Sequence, residues 1–293
     1  MSFSSEVKDE LAKRISPARH CQIAELAALM HFCGQYGVVG TDQENAGLYM
    51  IGFQTENEAI VRKGFTLLKK TYNINTDIAL KEKEMRGILE KVGNLDEPVS
   101  SLLLKNTCCQ RAFLRGAFLS VGSISDPVKG YHMEFNCNDQ AKARQLKELI
   151  KGFGIESKII LRKKYYVVYL KEGSGIVDLL NVCEAPVSLM NLENLRILKE
   201  MRNSVNRRVN CETANIAKTV NAAARQVDDI EYIREYYGFE NLPKALREMA
   251  EIRLENPDAP LKELGEFFEP PLGKSGVNHR LRKLSELAEK IRL

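Results

Sequence analysis

The chain has no apolar run approaching the roughly 20 residues that a helix needs to cross a bilayer, so no membrane-spanning helix is expected. It has no G-x-x-x-x-G-K-[ST] pattern, the loop that cradles phosphate, and Gly152-Phe153-Gly154 reads as a helix stop instead. There is no C-x-x-C pair, let alone two at zinc-site spacing. His31 and Cys33, and with them His20 and Cys21, are therefore read as members of an apolar helix, and neither a metal nor another cofactor is expected. Seven cysteines, at positions 21, 33, 108, 109, 137, 183 and 211, are odd in number and scattered, unlike the even pairing of a small secreted scaffold. The neighbours Cys108 and Cys109 are not expected to form a strain-free disulfide with each other. The N-terminal segment reads directly as an amphipathic helix rather than a leader, so reduced thiols and a cytoplasmic location are expected. A large excess of one charge is also missing. With 43 Lys and Arg against 39 Asp and Glu the formal net charge is +4, which permits an anionic partner without demanding one.

What the chain does have is one stretch twice. Residues 26–34 read Leu-Ala-Ala-Leu-Met-His-Phe-Cys-Gly, and residues 114–122 read Leu-Arg-Gly-Ala-Phe-Leu-Ser-Val-Gly. Both set large apolar residues beside Ala or Gly and close on Gly, a composition that lets two helix backbones pack closely. The match continues downstream. Residues 49–57, Tyr-Met-Ile-Gly-Phe-Gln-Thr-Glu-Asn, lie over 131–139, Tyr-His-Met-Glu-Phe-Asn-Cys-Asn-Asp, and a following helix can be overlaid as well. At 293 residues and 44% hydrophobic, the chain can bury a substantial core and is expected to form two domains.

Ser4 or Ser5 can cap a first helix whose stripe is Phe3, Val7, Leu11 and Ile15, ended near Pro17. The first motif helix should start near Cys21 and stop at Gly34 or Gly37, where a residue without a Cβ can turn left-handed. Strands are expected over 36–40, 48–54 and 75–81, with a helix over 56–72. The second unit repeats the order with a strand over 131–136, a helix over 140–152 capped by Asp139, a hairpin of 157–162 with 165–170, and a helix over 175–182.

Past Pro186 the spacing becomes helical, so a boundary is expected at 186–190. Residues 196–226 read as one long helix or a broken pair, in which Arg202, Arg207, Arg208, Lys218 and Arg225 alternate with Asn203, Asn206, Asn210, Asn215 and Asn221. Two readings stand: a solvated linker, or a helix whose Arg and Asn contact a phosphate backbone. The density of Asn, a poor helix filler, favours the second. Three helices follow, over 241–254, 261–268 and 275–291, the second short and the third reached through a Pro-Pro-Leu-Gly turn, as in a helix-turn-helix. On the last helix Val277, Leu281, Leu284, Ala288 and Ile291 would face the core. Ser275, Asn278, His279, Arg282 and Lys283 would face outward, with Lys274 and Arg280 nearby. This end can be a solvated basic face. The Pro-Pro-Leu-Gly-Lys-Ser turn and the clustering of base at one end favour the other reading, in which it offers Asn and Arg to base edges in a major groove and, with Ser275 as N-cap, free backbone N–H groups to a phosphate. The hairpin residues Lys158, Arg162, Lys163 and Lys164 are either a charged edge that blocks aggregation or a backbone contact to DNA.

The twinned motif with its downstream strands and helix resembles the LAGLIDADG homing endonucleases. Together with Ser2-Phe-Ser-Ser-Glu-Val-Lys-Asp-Glu-Leu11, Asn206-Arg-Arg-Val-Asn-Cys-Glu-Thr-Ala-Asn215 and Lys274-Ser-Gly-Val-Asn-His-Arg-Leu-Arg-Lys283, the whole chain is similar to the WhiA family of bacterial regulators. The resemblance implies an α+β fold, a duplicated αββαββα saddle with pseudo-twofold symmetry, followed by an all-α helix-turn-helix. It places the degenerate endonuclease-like domain at 1–187, a helical linker at 188–230 and the helix-turn-helix domain at 231–293. The implied role is nucleoid-associated, DNA-binding transcription regulation tied to cell division, chromosome segregation and, in sporulating relatives, sporulation. Double-stranded DNA is the expected partner, and a second regulator or a sigma factor a further one. Homing endonucleases carry a metal-holding acid before each closing Gly; here those positions are Cys33 and Val121, which offer Mg²⁺ no hard oxygen, so no nuclease is expected. Glu25 and Asp126 are near in sequence but do not match those positions.

Overall fold

The computed structural model describes residues 2–38, 48–74 and 80–292. Tertiary contacts divide the chain into a unit over 1–199 and a unit over 200–293.

The first unit opens with α1 (Phe3–Lys13), which buries Val7 and Leu11. Its cap is Ser2, whose Oγ accepts the N–H of Ser5 at 3.2 Å, rather than Ser4 or Ser5. The first copy of the repeat runs α2 (Arg19–Cys33), β1 (Gly34–Val38), β2 (Leu48–Phe53), α3 (Glu58–Tyr72), β3 (Leu80–Lys81) and α4 (Glu82–Val92). Residues 39, 40 and 75–79 of the expected strands lie outside the described residues. The second copy runs α5 (Thr107–Val121), β4 (Gly122–Ile124), β5 (Met133–Cys137), α6 (Gln140–Gly152), β6 (Lys158–Arg162), β7 (Tyr165–Leu170) and α7 (Gly173–Cys183). Each copy forms its own antiparallel sheet, ordered β1-β2-β3 and β4-β5-β7-β6. Two elements escaped the sequence reading. Three-residue β4 is too short for alternation to register, and α4 follows a segment read as strand.

The helices α2 and α5 lie side by side at the centre of the core and are apolar on almost every face. Gly116 makes the close approach possible: a Cβ there would lie 2.6 Å from the carbonyl oxygen of Glu25 and 2.8 Å from the Cβ of Ala28. Gly34 does not take the left-handed turn expected of the first helix stop, and neither does its counterpart Gly122. Both are extended, with φ of −75° and −80°. A side chain is excluded there for another reason, because a Cβ would strike the backbone of Met30 or Phe118 in the preceding turn at 2.6 Å.

Inside this apolar interface sits a charged cluster. The guanidinium of Arg115 donates from Nε and Nη2 to both carboxylate oxygens of Glu25 at 3.0 Å, and from Nη1 to Glu184 at 2.7 Å. Lys63 of α3 pairs with Glu25 and donates to the carbonyl of Leu11 at 2.6 Å. Burial pushes the Lys63 ammonium down to about 8, against the pull of Glu25. The cluster ties α1, α2, α3, α5 and the end of α7 to one point.

Asp139 caps α6 as expected, its Oδ1 accepting the N–H of Lys142 at 2.9 Å. Replacing it with alanine is expected to cost about 1 kcal/mol, read as a lower urea midpoint at unchanged slope. An unmoved midpoint would show that water or another group satisfies that N–H equally well.

The segment expected as one helix or two is one continuous helix, α8 (Pro186–Tyr236). The second unit has its own core, in which Ile230 and Ile233 of α8 join Met249, Leu264, Phe268, Val277, Leu281, Leu284 and Ala288. Its three further helices are α9 (Lys244–Glu255), α10 (Leu261–Glu266) and α11 (Lys274–Arg292). The link from α10 to α11 folds back so tightly that the N–H of Leu272 donates to the carbonyl of Gly265 at 2.8 Å. A Cβ on Gly265 would lie 2.0 Å from the Leu272 oxygen, so this seating of α11 requires glycine. Arg253, which follows the apolar positions of α9, is buried and donates to the carbonyl of Ala259 at 2.6 Å, holding the turn into α10.

Candidate nucleic-acid interface

The last helix divides into two faces as its spacing predicts. Val277, Leu281, Leu284 and Ala288 are buried, while Lys274, Ser275, Asn278, His279, Arg282 and Lys283 are exposed. The helix begins one residue earlier than expected: the N–H of Val277 donates to the carbonyl of Gly273 at 3.1 Å, so Ser275 sits inside the first turn and is not the cap. The N–H groups of that turn still lack intrahelical acceptors and point, with the positive end of the helix dipole, to where Lys274 stands. Two basic residues are already engaged. The Arg280 guanidinium lies 5.0 Å over the Phe268 ring, and Arg282 Nε donates to Glu286 at 2.9 Å. Arg280 is thus half-buried packing of the turn, whereas Arg282 is held by an exposed i, i+4 pair that contributes little and can be exchanged for a base edge.

In α8 every residue from 200 to 222 is exposed. Arg207 and Arg208 lie in this stretch with Asn203, Asn206, Asn210, Asn215 and Asn221, and Arg207 Nε reaches only back to the carbonyl of Asn203 at 3.2 Å. Met201, Val205, Val209, Ile216 and Val220 are exposed there too, so the helix presents both apolar and basic residues to solvent.

On the hairpin of the second sheet, Lys158, Arg162, Lys163 and Lys164 are all exposed. Lys163 occupies the left-handed turn position at φ 56°. Lys158 stands in register with Tyr169, which pairs in turn with Glu134. Arg162 Nη1 donates to Glu134 Oε2 at 3.2 Å, and His132 Nε2 donates to the same oxygen at 3.0 Å. Burial raises the Glu134 carboxyl, but His132, Asn136 and Arg162 outweigh it and hold it below its ordinary value. This sheet therefore carries Lys158 in the same cross-strand row as the acid Glu134, and Arg162, Lys163 and Lys164 at the hairpin turn.

The two positions that hold metal in a homing endonuclease are unsuited to it here. Cys33 is buried, its Sγ directed to the carbonyl of Leu29 at 3.3 Å and to Ser120 Oγ at 3.4 Å, and burial pushes its thiol up from the ordinary value. Val121 has no donor atom. Glu25 is consumed by Arg115 and Lys63, and Asp126 accepts the N–H of Val128 at 2.9 Å in its own turn. This donor set does not fit Mg²⁺.

His31 is buried with its two ring nitrogens 3.0 Å from the carbonyls of Glu97 and Val92. Its pKa is lowered by burial, so at neutral pH it fills a core position, as read from its apolar neighbours. The fold does bring together four residues that the sequence reading kept apart: His20, Cys21, Cys108 and Cys109.

A duplicated LAGLIDADG-type α+β unit followed by a helix-turn-helix defines a protein on a homing-endonuclease scaffold whose acidic positions are lost. Family models match the WhiA N-terminal LAGLIDADG-like domain over residues 19–86, the WhiA LAGLIDADG-like domain over 110–202 and the WhiA C-terminal HTH domain over 205–288. The chain belongs to the WhiA family. The probable cell division protein WhiA of Lachnoclostridium phytofermentans is 50% identical with 100% of both chains covered. That of Alkaliphilus oremlandii is 49% identical, with 99% of this chain and 98% of the relative covered. Among solved structures, full-length DUF199/WhiA from Thermatoga maritima is similar at 26% identity and a TM-score of 0.56, covering 99% of both chains.

Proposed function

We propose that this protein binds double-stranded DNA through α11 and acts as a transcription regulator of cell division, without cutting its target. One observation carries the reading: the outward face at the start of α11 holds Lys274, Ser275, Asn278, His279, Arg282 and Lys283 together, on a helix fixed by a buried opposite face. Asn and Arg supply the bidentate hydrogen bonds that distinguish adenine and guanine edges, and Lys supplies phosphate attraction. Arg207 and Arg208 add charge suited to the phosphate backbone, as do Lys158, Arg162, Lys163 and Lys164 on the hairpin. The shared name of the relatives supports the link to cell division; roles in chromosome segregation and, in sporulating organisms, sporulation belong to the same proposal.

The test starts with a preferred duplex selected from a random pool. Asn278→Ala with Arg282→Ala should weaken binding to that duplex about 10- to 100-fold more than binding to random duplex, measured by fluorescence anisotropy at fixed salt. Equal losses on the two would remove α11 from the recognition role. Supercoiled plasmid incubated with the protein and Mg²⁺ or Mn²⁺ should stay intact; nicking abolished by a chelator would make the protein an endonuclease instead.

A further inference from the structure

The geometry points to a zinc site at the joined ends of the two repeat helices, in which His20, Cys21, Cys108 and Cys109 bind a single Zn²⁺ and clasp α2 to α5. The offset that lays Leu26 over Leu114 and Gly34 over Gly122 also separates His20 from Cys108, at 88 residues, and so pairs Cys21 with Cys109. The four ligands are thus the same two positions of the repeat, seen once as His-Cys and once as Cys-Cys. Each pair occupies the first turn of its helix, α2 beginning at Arg19 and α5 at Thr107. Because the helices pack in parallel, both first turns reach the same end of the core.

One donor atom from each of the four residues lies within 4.8 Å of all the others. His20 Nδ1 is 3.2 Å from Cys109 Sγ, 3.3 Å from Cys21 Sγ and 4.0 Å from Cys108 Sγ. Tetrahedral zinc with ordinary Zn–S and Zn–N bonds sets its ligand atoms about 3.5 to 3.8 Å apart, so side-chain shifts of no more than about 1 Å close the site. Three sulfurs and one imidazole make a structural zinc set that leaves no open coordination position. The convergence of all four on one point favours a single ion over an iron–sulfur cluster, whose thiolates must each reach a different place on the cluster.

The backbone is built to hold these residues. Gln22 Nε2 donates to the carbonyl of Ser16 at 2.7 Å, and Gln110 Nε2 donates to the carbonyl of Leu104 at 2.9 Å. These are the same bond in both copies, each from the residue after the second ligand to a carbonyl six residues back. The two helix starts are therefore fixed by matching devices before any ion arrives, and both helix dipoles present their positive ends to the thiolates. Cys21 and Cys109 are buried while His20 and Cys108 are exposed, which gives the ion a path from solvent.

The test uses full-length protein purified in reducing buffer without chelator. Elemental mass spectrometry should find about one zinc per chain, and Co²⁺ exchanged into the protein should give the visible bands of tetrahedral cobalt with thiolate charge transfer. Cys108→Ser with Cys109→Ser should abolish both signals, while Cys211→Ser, at an exposed position of the second unit, should keep them. Should the double variant fail to fold, His20→Ala and Cys108→Ser singly, at exposed positions, should each lower the affinity in Zn²⁺ titrations at least about tenfold. Zinc absent from the wild type even after Zn²⁺ titration, zinc retained equally by the ligand variants, or a disulfide between Cys21 and Cys108 or Cys109 in the Zn²⁺-supplemented protein would each overturn the site.

Discussion

Arg115→Ala should destabilise the first unit by about 3 to 5 kcal/mol. The guanidinium is 1% exposed and makes a two-pronged contact with Glu25, which is itself wholly buried. Removing it leaves that carboxylate in an apolar interface with Lys63 alone, and leaves Glu184 with only its partner from the surface, Arg14. The cost is the stranded charge plus the volume of a long side chain at a helix pair that cannot close up. Arg14→Ala provides the contrast. Arg14 touches the same Glu184, but its side chain is 48% exposed, and a pair so open to water should contribute about 1 kcal/mol or less. Urea denaturation followed by circular dichroism reads both. Similar losses for the two variants would mean that the buried part of the cluster is not what joins the helices.

The second large effect is a substitution whose sign depends on place. Gly116→Val should cost about 3 kcal/mol, because even the first added carbon meets the backbone oxygen of Glu25 at 2.6 Å and neither helix can retreat without opening the core. Gly87 lies inside α4, and a Cβ there would meet nothing within 4 Å. Gly87→Ala should therefore stabilise by about 0.5 to 1 kcal/mol through helix propensity. The pair isolates close packing from backbone entropy within one protein. If both substitutions moved the thermal midpoint in the same direction, the Gly116 approach would not be limiting.

Local chemistry made much of this structure legible from its residues. The cap at Asp139, the hairpin of the second unit and the two faces of the last helix all rest on signals within about a dozen residues, which spacing and capping rules read, and the repeat needs only two stretches of the chain laid over each other. What could not be read depends on which distant residues meet. Nothing near Cys21 announces Cys109, because adjacent Cys108 and Cys109 lack the C-x-x-C form that zinc rules look for. A left-handed stop is expected at Gly34, yet the reason that Gly34 and its counterpart Gly122 are glycine is steric and visible only with the preceding turn in place. The α11 start was misplaced by one residue since Gly273, lacking a capping side chain, performs the role expected of Ser275. Glu25 and Arg115 did leave a trace. Each is a charge set among apolar residues well inside its helix, past Arg19 of α2 and Arg111 of α5, which is the sign of a buried pair, but the partner cannot be chosen without the fold.

The charged cluster also bears on how the two copies relate. Carried across by the repeat, the place of Glu25 is taken by Phe113 in the second copy, and the place of Arg115 by Ala27 in the first. Neither half holds both charges. Two first halves set against each other would bury two carboxylates with no guanidinium and only Lys63 beside each, and two second halves would bury two guanidinium groups with only the partly exposed Glu184 beside each. The two copies of one helix have thus become a matched couple, each bringing the charge that answers the other's.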